Sequence, residues 1–223
     1  MRQVVLDTET TGLEVSMGHR IIEIGAVEMI DRKLTGRHFH EYINPQREID
    51  DGALEVHGIT QEFLKDKPVF GDIAQSFVQF VNGADLVIHN AVFDISFLDF
   101  ELKNLKNGQP KLATICGITD SLALARKKHP GQKNNLDALC RRYMVDNSQR
   151  ELHGALLDAE ILADVYLFMT GGQTALFGQG DQQGDAQERA KSLSLEQLDL
   201  KPILASVDEI AAHEKYRVKV LGL

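Results

Sequence analysis

Five side chains of the sequence are of the types that bind metal ions or transfer protons, and the first two stand close together. Asp7 and Glu9 directly follow the apolar run Val4-Val5-Leu6. Successive side chains of a β-strand point to opposite faces, so these two carboxylates should share one face. Carboxylates that close repel each other unless a cation lies between them. The pair therefore predicts a site for Mg²⁺ or Mn²⁺, with a solvated strand end as the alternative.

The other three side chains lie much later in the chain. Asp94 follows the apolar run Leu86-Val87-Ile88, and open α/β sheets place their sites beyond the carboxyl ends of strands. His153 and Asp158 flank the start of a predicted helix, where Asp158 adjoins an apolar face. A carboxylate at a buried boundary usually has a partner or a metal ion. The alternatives are that Asp158 complements the helix dipole and that His153 is a structural or surface histidine.

The spacing of apolar residues predicts the elements that must position these groups. Strands are predicted over residues 4–6, 21–29, 38–43, 86–88 and 111–115. Helices are predicted between residues 68 and 83 and over 93–102, 121–128, 136–143 and 155–169. Because three strands come first and strands then alternate with helices, we expect an α/β fold with a mixed five-stranded sheet flanked by helices.

Composition limits the class of protein. The chain is 43% hydrophobic and 26% charged, which is ordinary for a soluble protein. It has no apolar stretch of the roughly 18 residues that a membrane span needs, and its first apolar run is too short for a signal peptide, so we expect a cytoplasmic protein. Cys116 and Cys140 are too few for a disulfide framework. With a net charge of −9, binding to nucleic acid would need positive charge from metal ions or partners.

The composition changes at Gly171-Gly172, which predicts three regions. Residues 1–170 form the predicted catalytic domain. Residues 171–189 are rich in Gly and Gln and are predicted to be a flexible linker. Residues 190–223 form a short tail with a capping-box pattern, Ser206-Val207-Asp208-Glu209, at the start of a predicted helix. Because this tail is too small to bury a core, its apolar residues need the main domain or another protein.

Three short motifs carry a resemblance to a known family. The segments DTETTG (7–12), HNAVFD (89–94) and HGALLD (153–158) resemble the three exonuclease motifs of the DEDD exonucleases, in the subtype whose last motif contains histidine. The similarity is greater still to the epsilon-subunit family of bacterial DNA polymerase III, through IIEIGAVE, VHGIT, NNLDALC and MTGGQT. It covers residues 1–174 and returns weakly in DEIAAHE. The resemblance implies a ribonuclease-H-like fold and a proofreading 3′→5′ DNA exonuclease.

The same resemblance assigns roles to the five side chains. It implies two bound divalent cations, Mg²⁺ or Mn²⁺, with Asp7, Glu9 and Asp158 as ligands and Asp7 bridging both ions. Asp94 would act directly or through water. His153 would be the general base that takes a proton from the attacking water.

Contacts to the terminal nucleotide are also implied by the resemblance. They involve Asp7, Glu9, Thr10, Thr11, Gly12, His57, His89 and Phe93. For His57 and His89 ordinary polar packing is an open alternative, and Phe93 could belong to the core instead. The implied substrate is a single-stranded or frayed DNA 3′ end, because a mismatched terminus frays at lower cost than a paired one.

Partners follow from the C-terminal segments. Gln173-Thr174-Ala175-Leu176-Phe177 resembles the motif that docks replication proteins on the sliding clamp (beta), with Leu176 and Phe177 as apolar anchors and Gln173 at the pocket rim. The alternative is a helix end that frays into the linker. Residues 190–223 resemble the segment that tethers the exonuclease to the polymerase alpha subunit. A small theta-like subunit is a further partner that the resemblance leaves open.

Two other functions compete with proofreading. An RNA-trimming exonuclease of the same superfamily would share the carboxylates, but it should lack the clamp-like motif and the tail. A catalytically idle subunit that only stabilises the polymerase would not need all of Asp7, Glu9, Asp94, His153 and Asp158.

Overall fold

A five-stranded sheet forms the centre of the structure, a computed structural model that describes residues 1–106, 108–150 and 152–171. The strands are β1 (Arg2–Thr10), β2 (Ile21–Ile30), β3 (Lys33–Tyr42), β4 (Asp85–Ile88) and β5 (Gly117–Asp120). Their order across the sheet is β3-β2-β1-β4-β5. The hairpins β1–β2 and β2–β3 are antiparallel, whereas β4 pairs parallel with both β1 and β5. The prediction of a mixed five-stranded sheet is confirmed.

Helices cover both faces of this sheet. They are α1 (Asp51–His57), α2 (Gln61–Leu64), α3 (Phe70–Val81), α4 (Ala91–Lys103), α5 (Ser121–Lys128), α6 (Leu136–Tyr143) and α7 (Ala155–Thr170). Side chains of α3 and α4 share one apolar cluster with Val4 and Leu6 of β1. Side chains of α6 and α7 share a second cluster with Val5. Alternation along β1 therefore sends neighbouring residues into two separate cores. Among the described residues no helix combines the length and apolarity that crossing a membrane requires.

The predicted strand over residues 111–115 is wrong. Leu112–Thr114 is a 3₁₀ turn, in which the amide of Ile115 donates to the carbonyl of Leu112 at 2.9 Å. The Leu112 side chain is fully buried, and the Leu112 amide donates to Asp99. A turn that buries only one of its residues, Leu112, can contain the same short apolar run as a strand. The fifth strand is the more polar segment Gly117–Asp120, which lies at the edge of the sheet.

Two further differences concern the N-terminal half. Strand β1 extends to Thr10, so Asp7 and Glu9 lie within the strand and not at its end. The short helices α1 and α2 were not predicted. Of α1 only His57 is buried, and of α2 only Leu64. Such elements lack the repeating apolar face by which helices are recognised in a sequence.

Candidate active site

Strand β1 supplies the first two carboxylates. Asp7 pairs in register with Gly25 of β2, and Glu9 pairs with Glu23. Because Val5 packs in the cluster that contains α7, the alternation places Asp7 and Glu9 on that side of the sheet. The prediction that these two residues share a face is confirmed.

A glycine on β2 determines how closely α7 approaches. A Cβ atom added to Gly25 would lie 2.1 Å from the backbone nitrogen of Leu156 and 2.2 Å from the carbonyl carbon of Ala155. The first turn of α7 therefore rests directly on the backbone of β2, which only glycine permits. This contact brings Asp158, in the first turn of α7, beside Asp7 and Glu9.

The fourth carboxylate reaches the site from the opposite side of the sheet. Asn90 has a left-handed backbone (φ 69°), so the chain turns sharply from β4 into α4. Asp94, in the first turn of α4, is 3% exposed. Its Oδ1 accepts a hydrogen bond of 2.7 Å from Thr8 Oγ1, whose side chain lies on the α4 side of β1.

All five predicted side chains line one cavity of about 330 Å³, which we call the carboxylate cavity. It is bounded by Asp7, Thr8, Glu9, His89, Asn90, Phe93, Asp94, Asn135, Leu136, Asp137, Arg150, His153 and Asp158. One ligand atom from each of Glu9, His153 and Asp158 lies within 4.8 Å of the others. Residues from β1, α4 and the start of α7 therefore converge, although they are far apart in the sequence.

Three of these carboxyl groups have raised pKa values, so they lose their protons less readily than free carboxyl groups do. Burial, together with the charges of Asp158 and Glu23, raises the pKa of Glu9 to about 8. Burial also raises the pKa of Asp94 to about 7, despite the hydrogen bond from Thr8. The pKa of Asp7 is raised well above its usual value by burial and by its acidic neighbours. A cluster of oxygen ligands that repel one another fits a hard divalent cation, which would relieve the repulsion.

Asp158 differs from the other three carboxylates. Burial alone would raise its pKa, but hydrogen bonds with His153 and Arg150 outweigh burial and lower it. Arg150 donates to both oxygens of Asp158 and to Oδ1 of Asp137. Arg150 and Asp137 were not predicted as site residues from the sequence. The available signal was that a cluster of buried carboxylates requires a cationic neighbour, and Arg150 stands three positions before His153.

A second cavity of about 540 Å³ adjoins the first, and we call it the apolar cavity. It shares Thr8, Glu9 and Phe93 with the carboxylate cavity. Its remaining lining consists of Thr10, Gly12, Leu13, Glu14, Met17, His19, Asp50, Gly52, Ala53, Val56 and His57. Thr10, Gly12 and His57 of the predicted nucleotide contacts therefore lie here.

The structure separates the other predicted nucleotide contacts. Thr11 is fully buried, its hydroxyl lies 3.0 Å from Nδ1 of His19, and it lines neither cavity. His89 lines the carboxylate cavity, and its Nδ1 lies 2.9 Å from Ser121 Oγ. Phe93 lines both cavities and packs on Phe97 with ring centroids 5.0 Å apart.

His57 and His89 each make a polar contact within the protein and also line a cavity. Nδ1 of His57 accepts a hydrogen bond of 2.9 Å from the amide of Ile59. Burial lowers the pKa of His57, and burial likewise lowers that of His89. Both imidazoles are therefore stabilised in the neutral form. The clamp-like motif, the linker and the tail lie outside the described residues, so those assignments and the domain boundaries remain predictions.

Known proteins resemble this chain in both sequence and fold. A protein-family model described as Exonuclease matches residues 4–166. Among similar solved structures, Exonuclease X in complex with 5′ overhanging duplex DNA is 27% identical, with a TM-score of 0.59 over 76% of this chain and 91% of that chain. E. coli Exonuclease I bound to single-stranded DNA shares the fold, with 17% identity and a TM-score of 0.64 over 77% of this chain and 41% of that chain.

Curated relatives match over nearly the whole chain. DNA polymerase III subunit epsilon of Salmonella typhimurium is 54% identical, across 96% of this chain and 90% of the relative. The subunit of that name from Escherichia coli is 52% identical over the same shares, and that of Rickettsia felis is 46% identical over 99% of this chain and 97% of the relative. The chain therefore belongs to the exonuclease family and, within it, to the epsilon subunits of DNA polymerase III.

Proposed function

We propose that this chain is the proofreading subunit of a bacterial replicative DNA polymerase and removes nucleotides from DNA 3′ ends by phosphodiester hydrolysis. The observation that carries the proposal is the convergence of Asp7, Glu9, Asp94, His153 and Asp158 in one cavity. It occurs in a chain that is 54% identical to an epsilon subunit over 96% of its length. A binding-only subunit would have no need for buried, mutually repelling carboxylates, which reduce stability.

The carboxylates have the chemistry to hold the cations of such a reaction. Asp7, Glu9 and Asp158 would be direct ligands of two divalent cations, and Asp94 would act directly or through water. Bound Mg²⁺ or Mn²⁺ supplies a more acidic water and offsets negative charge on the phosphate. The chain itself supplies rigid positions for the ligands, on the central strand β1 and in the first turns of α4 and α7.

The position of His153 supports the proposed role of proton acceptor. Its side chain is 44% exposed, at the edge of the carboxylate cavity, and its Nδ1 lies 3.2 Å from Oδ2 of Asp158. With a proton on Nδ1 that is donated to Asp158, the imidazole is held in one orientation and Nε2 is free to take a proton from water. Hydrolysis by this route requires no covalent intermediate.

The apolar cavity provides a place for the terminal nucleotide. Leu13 and Met17 line it although they are 81% and 68% exposed. Such exposed apolar side chains beside a polar site suit contact with a base or sugar. The hydroxyl of Thr10 donates to the carbonyl of Gly12 at 2.7 Å, which fixes the loop that lines the cavity. A frayed single strand reaches this cavity more easily than a paired end, and that difference gives preference for mismatches.

Partner subunits would supply the positively charged DNA-binding surface that an acidic chain lacks. With a net charge of −9 the chain needs other subunits to hold the DNA. Gln173, Leu176 and Phe177 would bind the sliding clamp, and residues 190–223 would bind the polymerase alpha subunit, across a linker over residues 171–189. Residues 1–170 would form the exonuclease domain, and a theta-like subunit remains a candidate for its surface.

The exonuclease proposal is tested with end-labelled substrates. Purified full-length chain with Mg²⁺ should shorten single-stranded DNA from the 3′ end, and a mismatched primer terminus faster than a matched one. Asp158→Asn should abolish cleavage, whereas Asp164→Asn, an exposed acid on the same helix, should leave it unchanged. Preference for RNA, or no cleavage by the wild type, would contradict the proposal.

The clamp proposal is tested separately. Replacing Leu176 and Phe177 with Ala should weaken binding to immobilised sliding clamp and leave hydrolysis of short oligonucleotides unchanged. Replacing Gln182 and Gln183 with Ala, in the same stretch of chain, is the matched control. Equal clamp binding by both double variants would show that Leu176 and Phe177 do not bind the clamp.

A further inference from the structure

Arg150 joins the carboxylate cluster through four contacts. Its Nε and Nη2 donate to the two oxygens of Asp158, the second at 2.8 Å. Its Nη1 donates to Oδ1 of Asp137 at 2.6 Å. Its Nη2 also lies 2.9 Å from Nδ1 of His153. The side chain is only 7% exposed, so this guanidinium is a buried cation inside the candidate metal site.

The position of Arg150 conflicts with a metal ion on Asp158. A fork of two N–H groups already uses both oxygens of that carboxylate. A divalent cation on the same carboxylate would lie against a guanidinium of like charge, in surroundings that screen the charges poorly. The two cations therefore compete for Asp158.

Asp137 offers the guanidinium another carboxylate. It stands in the first turn of α6 and is 45% exposed, so it lies at the edge of the cavity. Arg150 already donates to it, so leaving Asp158 requires only a rotation toward a partner it contacts. Without that second partner, displacement would leave a buried charge unpaired, which is strongly unfavourable.

We infer that Arg150 is a positioning residue that exchanges with the metal: its guanidinium neutralises Asp158 until a divalent cation binds, and then moves onto Asp137. This inference rests on the proposed metal-dependent function, and it adds a built-in competitor for the metal. Arg150 stabilises the acidic cluster in the absence of the cation and weakens cation binding as a consequence.

The same movement would affect His153. An arginine donor on Nδ1 requires a lone pair there and places the imidazole proton on Nε2. Asp158, as an acceptor 3.2 Å from the same Nδ1, requires the proton on Nδ1 instead. When Arg150 leaves, only the second arrangement remains, and Nε2 becomes the free acceptor. Metal binding and the preparation of the general base are thus coupled through one side chain.

Arg150→Lys tests the competition, because lysine keeps the charge but loses the fork that holds both oxygens. We expect the full-length variant to bind Mn²⁺ alone about fivefold more tightly or better than the wild type, measured as free Mn²⁺ by electron paramagnetic resonance. Its Tm in EDTA should fall. Arg141→Gln, which removes an exposed arginine of α6, should change neither quantity.

Asp137→Asn tests the receiving carboxylate. Without it Arg150 stays on Asp158, so Mn²⁺ binding should weaken, opposite to the effect of Arg150→Lys. Unchanged or weaker Mn²⁺ affinity of Arg150→Lys would overturn the inference while leaving the exonuclease proposal intact. Failure of the wild type to bind Mn²⁺ at all would overturn both.

A measurement on the wild type guards against variants that fail to fold. In arginine-labelled full-length chain, the Nε–H resonance of Arg150 should shift when Mg²⁺ is added, because its bond to Asp158 breaks. The resonances of Arg2 and Arg20, which donate to Glu28 and Glu101, should stay in place. An Arg150 resonance that does not respond to saturating Mg²⁺ would overturn the exchange.

Discussion

The two cavities that meet at Glu9 and Phe93 are built on opposite physical principles. The carboxylate cavity concentrates buried acidic groups, and burial and mutual repulsion raise the pKa values of Asp7, Glu9 and Asp94. The apolar cavity is larger and exposes side chains such as Leu13 and Met17. The proposed chemistry belongs to the cavity whose buried acidic groups reduce stability, and the proposed substrate contacts belong to the cavity lined by exposed apolar side chains.

This difference predicts how the two regions respond to substitution. A change in the carboxylate cavity should affect turnover strongly and can raise stability, because it removes a repelling charge. A change in the apolar cavity should affect substrate binding more than turnover.

The largest effect is expected for Asp7→Asn. If Asp7 is a metal ligand, as proposed, its replacement should lower turnover about a thousandfold, equivalent to about 4 kcal/mol of transition-state stabilisation. Removing one of the repelling charges should at the same time raise Tm in EDTA by about 2–4 °C. Turnover and thermal melting of the same preparation check both parts. Asp164→Asn is the control, and a lower Tm of Asp7→Asn would contradict the account of repulsion.

Gly25→Ala should have the next largest effect, because it forces α7 away from β2. The added methyl group would overlap the backbone of Ala155 and Leu156 and should cost about 1–3 kcal/mol of stability. Turnover should fall as well, since Asp158 moves with the helix. Gly71→Ala, in α3, is the matched control, because its methyl group would make only an ordinary contact with Leu105 at 3.6 Å and it lines neither cavity. Full activity of Gly25→Ala would show that the contact does not position the site.

The sequence was sufficient where a local pattern dictates geometry. Alternation along β1 placed Asp7 and Glu9 on one face, and the structure has both on the side of α7. The order of strands and helices likewise predicted the mixed sheet. These features depend on neighbours in the chain, and so a single sequence reveals them.

The sequence was insufficient where contacts depend on packing between distant segments. In the sequence nothing distinguishes Arg150 from a surface arginine. Its ion pairs with Asp137 and Asp158 form only when α6 and α7 pack together. Thr11 belongs to a motif of apparent nucleotide contacts, yet the packing of His19 buries its hydroxyl away from both cavities. Neither the ion pairs of Arg150 nor the burial of Thr11 can be inferred from the spacing of residues along the chain.

The stability of the chain without metal should depend on pH in a defined direction. The folded-state pKa values of Glu9, about 8, and Asp94, about 7, lie above those of the unfolded chain. The folded state therefore retains protons that the unfolded state has released, and stability falls as pH rises through this range. The lowered pKa of Asp158 acts only near pH 4 and below.

Melting in EDTA between pH 5.5 and 8.5 measures this dependence. We expect Tm to decrease by several degrees toward the alkaline end, since each kcal/mol corresponds to about 2–4 °C. Glu9→Gln should flatten the curve, and saturating Mg²⁺ should flatten it too, because the bound cation favours the ionised carboxylates. A Tm that rises with pH would mean that these groups are not buried together in the folded chain.

The smallest effect is expected in the apolar cavity. Met17→Ala removes a side chain that is 68% exposed, so folding should lose little when it is shortened. If the terminal nucleotide packs against this side chain, its loss should raise KM for single-stranded DNA about threefold to tenfold and leave kcat within about twofold. Met144→Ala, at an exposed methionine that ends α6 and lines neither cavity, is the control. An equal fall in kcat and kcat/KM would instead indicate that Met17 makes contacts only at the transition state. The two cavities would then not divide into one for turnover and one for substrate binding.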